Sequence, residues 1–156
     1  MGNSESFASL GIYDAQILKS KDKALPPVFF KAVITPPHPE MVSPDFDAGW
    51  IYYFGSETTF SLIGHYRTDE VFEVMSFAFD RSVKDGTHQI GGSDSKVQAI
   101  LTMSGSAQYA KRGHITINRN AMTQYITATF EFEIEFNGTL YRITHGTVSR
   151  DPTGPL

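Results

Sequence analysis

Gln124-Tyr125-Ile126-Thr127-Ala128-Thr129-Phe130-Glu131-Phe132-Glu133-Ile134-Glu135-Phe136-Asn137-Gly138-Thr139-Leu140-Tyr141-Arg142-Ile143 is the stretch that decides the fold. Gln124, Ile126, Ala128, Phe130, Phe132, Ile134 and Phe136 alternate with Tyr125, Thr127, Thr129, Glu131, Glu133 and Glu135. Successive strand side chains point to opposite faces, so one face of this segment is core and the other is wet. Asn137-Gly138 is the preferred pair for a two-residue type I′ turn, because both positions need φ above zero. A tight hairpin follows, with Phe136 opposite Thr139. Counting back predicts Ile134 opposite Tyr141, Glu133 opposite Arg142, Phe132 opposite Ile143, Glu131 opposite Thr144 and Phe130 opposite His145. Apolar residues then meet apolar residues and His145 points inward. The Glu133–Arg142 pair falls on the wet face, where such pairs contribute about 0–1 kcal/mol, so burial of the aromatic face must supply most of the stability.

Outward from the hairpin, helical periodicity is hard to find. β-Branched and aromatic residues cluster in short runs separated by Gly, Pro, Asn and Asp. Strands are expected near Gly11 to Leu18, Val28 to Thr35, Trp50 to Phe54, Thr58 to Tyr66, Val71 to Asp80, Lys96 to Met103, Gly113 to Asn118, Thr123 to Phe136 and Thr139 to Val148. Val71, Met75, Phe77 and Phe79 share one face of their strand, and Phe72, Val74 and Ala78 the other. Both faces are therefore expected to be covered. The stretch from Thr35 to Gly49 carries Pro36, Pro37, Pro39 and Pro44, which remove backbone donors, so it is expected to be an irregular loop. The fold class is all-β: a single antiparallel β-sandwich or flattened barrel of about eight strands.

The 156 residues fit one domain, and 40% hydrophobic with 19% charged residues suits a globular chain. Thirteen Lys plus Arg against seventeen Asp plus Glu give a formal charge of −4, which disfavours nucleic acid as a partner. Without cysteine there is no disulfide, thiolate metal site or cysteine nucleophile. Met1-Gly2-Asn3-Ser4-Glu5-Ser6-Phe7 has neither a basic start nor an apolar run. The expectation is a soluble chain with no export signal and no membrane span, its location otherwise unassigned.

No catalytic constellation stands out. The five histidines, His38, His65, His88, His114 and His145, have no metal-helix spacing. His38, Glu40, Asp45 and Asp47 in the Pro-rich stretch could ligate a cation, but nothing fixes their geometry and a solvated polar loop is the simpler reading. Asp94, within Gly91-Gly92-Ser93-Asp94-Ser95, fits a turn. Ser104-Gly105-Ser106 fits a loop, and no Gly-x-Ser-x-Gly elbow is present. Glu131, Glu133 and Glu135 read as a solvated row beside Arg142 and Lys111 or Arg112. The remaining candidates are aromatic. In Trp50-Ile51-Tyr52-Tyr53-Phe54, Trp50, Tyr52 and Phe54 share a face and Tyr53 takes the other. Exposed Trp and Tyr on a β platform are what sugar-binding modules stack against. Trp50, Tyr52 and Tyr53 are the candidate ligand-binding residues. Trp50 is expected to be at least half buried, with one of the two tyrosines reaching solvent.

Residues 71–149 resemble a family of small bacterial β domains, many exported or lipoprotein-like, without an assigned biochemical function. The resemblance is carried by Asp85-Gly86-Thr87-His88-Gln89-Ile90, similar to that family's Gly-Thr-Tyr turn, then by Gly113-His114-Ile115-Thr116-Ile117, Ala128-Thr129-Phe130-Glu131-Phe132 and Ile143-Thr144-His145-Gly146-Thr147-Val148. Ala128 stands where the family usually has Gly. The resemblance implies a fold and no catalytic residues. The expected function is a non-catalytic binding or interaction module with no cofactor, its partner a protein, a glycan or a small molecule. The alternatives are a lipocalin-like carrier of an apolar molecule and, last, a metal-assisted hydrolase.

Overall fold

Residues 27–39, 45–68, 72–92, 94–103 and 105–156 are described by the structure, a computed structural model. Alternating burial organises them into β1 (Phe29–Thr35), β2 (Asp45–Asp47), β3 (Trp50–Gly55), β4 (Thr59–Arg67), β5 (Phe72–Asp80), β6 (Gly86–Ile90), β7 (Val97–Met103), β8 (Ser106–Tyr109), β9 (Arg112–Arg119), β10 (Ile126–Phe136) and β11 (Thr139–Arg150). No helix occurs among the described residues. The expected strand at Gly11 to Leu18 lies outside them.

The eleven strands form one sheet in the order β2-β1-β11-β10-β9-β6-β7-β5-β4-β3, with β8 attached to β7. The all-β class stands, as a single curled sheet of eleven strands rather than a defined sandwich of about eight. Its pairings are antiparallel except where Ile90 of β6 meets Val97 of β7 in parallel. The two ends of the strand order, β2 and β3, are separated in sequence only by Ala48 and Gly49, so the curl brings the ends of the sheet together. At that seam the Ala48 amide donates to the Phe30 carbonyl (2.9 Å) and the Gly49 amide to the His65 carbonyl (2.8 Å). Gly64 is required there, because a Cβ on it would stand 2.8 Å from the Phe30 ring.

Phenylalanines fill the inside. Phe77 of β5 packs on Phe130 of β10 (centroids 4.6 Å apart) and stacks with Phe30 of β1 (6.0 Å), while Phe60 and Phe79 stack at 4.6 Å. Strands far apart in the sheet order thus share one core. The outer edge of β3 is covered by the C-terminal segment: Thr153 N–H donates to the Tyr53 carbonyl (2.8 Å) and Gly55 N–H to the Pro155 carbonyl (2.7 Å). Pairing an edge in this way removes a template for aggregation.

The hairpin register holds from the turn as far as Phe132 opposite Ile143, with Glu133 opposite Arg142 on the wet face. Beyond it the expected pairing fails. Phe130 meets Gly146 rather than His145, and β1 records the same slip, since Val33 pairs with Thr144 but Lys31 with Thr147. One extra residue in β11 makes a β-bulge, with His145 at φ 52°. His145 is therefore exposed, not inward.

β10 begins at Ile126 rather than Thr123. The Asn120 carboxamide accepts from the Met122 and Thr123 amides (2.9 Å each), holding those residues in a turn. The Pro-rich stretch is not wholly irregular, because Asp45–Asp47 pairs with β1 as β2. Strands β2, β6 and β8 escaped the sequence pattern. They are short, and their residues, such as Gly86-Thr87-His88-Gln89, lack the apolar alternation that marks a strand.

Candidate functional site

The outward face of β3, β4, β5, β7 and β8 differs from the rest of the exterior. Register places Tyr52, Ile63, Ser76, Ile100 and Tyr109 in one row across these strands, and Trp50, His65, Val74, Thr102 and Ala107 in the next. Trp50 is 56% exposed, Tyr52 46%, Phe72 49% and Tyr109 65%. Among the described residues no second layer covers the face, and of the two faces of β5 expected to be covered only the inward one is fully buried. Its inward face, Glu73, Met75, Phe77 and Phe79, is fully buried, while Phe72 on the outward face stands in solvent.

The rings on this face touch. Tyr52 meets His65 edge to face (centroids 5.5 Å) and His65 meets Phe72 (5.7 Å), so β3, β4 and β5 each contribute one ring to a chain. Beside them, Trp50 and Tyr52 border a shallow depression of about 440 Å³, which Val28, Arg150 and Thr153 also line. The Arg150 guanidinium is held there by the Ile51 carbonyl (3.3 Å) and the Asp151 carboxylate (2.7 Å).

Trp50, Tyr52 and Tyr53 do not form one group. Trp50 and Tyr52 share the outward face. Trp50 is less buried than expected, because nothing among the described residues packs over β3. Tyr53 points inward, fully buried against Phe60 (6.5 Å). Burial raises its phenol above the usual value, the nearby Arg119 cation opposes this, and Asp85 adds to the rise. The Arg119 guanidinium itself donates to the Val83 carbonyl (2.8 Å) and lies over the Phe60 ring (4.4 Å). Tyr53 is a core residue and cannot reach a surface ligand.

The other candidates disperse. His38 is buried, its Nδ1 3.9 Å from Oε1 of the fully buried Glu73. Asp45 and Asp47 are instead exposed on β2, and Glu40 lies outside the described residues. No group of three His, Asp or Glu able to hold a metal ion occurs among the described residues. Glu131, Glu133 and Glu135 form the solvated row that their spacing predicts: Glu135 pairs with Lys111, Glu133 with Arg112 and with Arg142 (3.5 Å), and Glu131 with His114 (3.4 Å). Asp94 sits in an exposed turn. The inward position of Glu73, on the same face as Met75, Phe77 and Phe79, is readable from alternation alone. Its partnership with His38 is not, because the two are 35 positions apart.

No family model matches the chain, and neither curated proteins nor solved structures match it.

Proposed function

We propose that this chain is a non-catalytic binding module whose ligand seats on the outward face around Trp50 and Tyr52. The observation that carries this reading is the contrast between the two sides of the curled sheet, which we read as a flattened barrel. The β9–β10–β11 side carries the paired charges Lys111, Arg112, Glu131, Glu133, Glu135 and Arg142. The β3–β8 side exposes five large apolar side chains, Trp50, Tyr52, Phe54, Phe72 and Tyr109. Grouped exposed aromatics of this kind mark interaction sites. The resemblance over residues 71–149, to β domains without catalytic residues, points the same way.

A carrier of an apolar molecule needs a hollow interior. Here Tyr53, Phe60, Leu62, Phe77 and Phe79 fill it, which favours the module. A metal-assisted hydrolase draws no support, because His38 is buried while Asp45 and Asp47 are exposed on β2. The test compares the protein with its Trp50→Ala/Tyr52→Ala variant on glycan and peptide arrays. Signals lost in the variant, with the urea midpoint unchanged, support the module. Signals that persist place the ligand elsewhere, and a small molecule that stays bound in native mass spectrometry supports the carrier.

A further inference from the structure

We infer that the ligand of this face is a neutral glycan chain, whose sugar rings stack on Trp50 and Tyr52; the inference rests on the binding-module reading and names its ligand class. Three features select this chemistry. The first is charge. Between Arg67 and Asp80 at the strand ends, and apart from His65, the outward side chains of β3, β4, β5, β7 and β8 include no Asp, Glu, Lys or Arg. In the adjoining depression the Arg150 cation is already neutralised by Asp151. Arg67 stands one row beyond Trp50 and His65 and Asp80 at the other end, so a neutral chain can lie across the rows between them without desolvating a fixed charge.

The second is area. The five strands offer outward positions 50, 52 and 54, alternate residues from 59 to 67 and from 72 to 80, then 98, 100 and 102, and 107 and 109, which at about 33 Å² each give a footprint of about 590 Å². That is about three quarters of what each partner contributes to a stable protein complex, and it includes the strand ends. A second copy or a folded partner is therefore under-served, whereas a narrow chain molecule is covered along its length.

The third is the mixture of groups. Trp50 and Tyr52 lie two residues apart on one strand, so their rings repeat at about 6.8 Å along it. Ser61, Ser76, Gln98 and Thr102 lie among the apolar side chains, half-buried and outward. A pyranose has the same dual character: its C–H faces pack on the electron-rich face of an aromatic ring, and its hydroxyl rim seeks hydrogen-bond partners. A purely hydrocarbon ligand would leave the polar groups desolvated and unpaired.

Native affinity electrophoresis through gels holding soluble neutral polysaccharides (hydroxyethylcellulose, xylan, mixed-linkage β-glucan, galactomannan, amylose) or anionic ones (alginate, polygalacturonate) tests this. The expected result is retardation by at least one neutral polysaccharide and by neither anionic one. Trp50→Ala or Tyr52→Ala should weaken it by about tenfold, Trp50→Phe less, and Glu131→Gln on the opposite side not at all. Trp50 is the sole tryptophan, so its emission should shift to the blue with the matching oligosaccharide. No retardation by any neutral polysaccharide, or retardation that survives both alanine substitutions, overturns the inference. Strong shielding of Trp50 from iodide in the free protein also overturns it, by assigning the face to residues 1–26 of the chain itself. If sedimentation instead finds a dimer broken by Trp50→Ala, or a peptide array gives a signal lost in that variant, the glycan is wrong and the module stands. If nothing of any class binds in a Trp50-dependent way, both fall.

Discussion

The ring of Phe130 lies directly over the Cα of Gly146, its register partner in β11, so that a Cβ at position 146 would overlap the ring. The bulge at His145 delivers the glycine to this place. Gly146→Ala should therefore overpack the core and cost about 1–3 kcal/mol. Phe130→Leu in the Gly146→Ala background should recover part of that loss. Urea unfolding of the two single variants and the double variant measures the coupling, and strict additivity would mean that the ring does not set the requirement for glycine.

Phe132 and Glu133 are neighbours with opposite environments, one fully buried and the other between Arg112 and Arg142 on the outside. Phe132→Ala should cost about 3–5 kcal/mol by leaving a cavity. Glu133→Ala should cost about 1 kcal/mol and depend on ionic strength, because its pairs are open to screening. Equal, salt-independent losses in urea unfolding would contradict the assignment of faces.

Glu73 and His38 form a polar pair inside an aromatic shell that includes Phe136 (5.9 Å from the imidazole) and Tyr141 (6.1 Å). Truncating one partner of a buried pair removes a polar contact of the other, so Glu73→Ala should cost about 1–3 kcal/mol. Replacing both, as His38→Leu/Glu73→Met, should lie much closer to the parent protein. A double variant as unstable as the single one, by thermal and urea unfolding, would locate the loss in packing rather than in the pair.

Tyr53 makes stability depend on alkaline pH. Its folded pKa is raised above the ordinary 10.0, chiefly by burial. A raised value means that the folded state holds the proton more tightly than the unfolded chain does. The contribution is therefore complete below the unfolded pKa and is lost as pH rises through the folded one. The buried hydroxyl lies near the Arg119 guanidinium without a hydrogen bond of ordinary length to it, so Tyr53→Phe should be close to neutral at pH 7. Above about pH 10, the urea midpoint of Tyr53→Phe should fall less steeply than that of the parent. Parallel curves would remove Tyr53 from the alkaline transition.

The sequence by itself determined the β class, the Asn137–Gly138 hairpin and its pairing as far as Phe132 with Ile143. Turn chemistry and period-two burial are local, and they act over a few residues on either side of the turn. It also determined which of Tyr52 and Tyr53 share a face with Trp50, since alternation leaves no choice. Tertiary structure decided the rest. The slip at His145 sets Phe130 over Gly146, where its ring also packs on Phe30 of β1 and Phe77 of β5, strands that local turn chemistry does not reach. The pairing of His38 with Glu73 needed the curl that brings residues 35 positions apart to the same place. Most of all, alternation assigns an apolar outward face to β3 and β5 but cannot say whether another layer packs on it. That depends on how many strands the sheet holds and how it closes. The single curled sheet leaves Trp50, Tyr52 and Phe72 facing solvent, and so creates the candidate site.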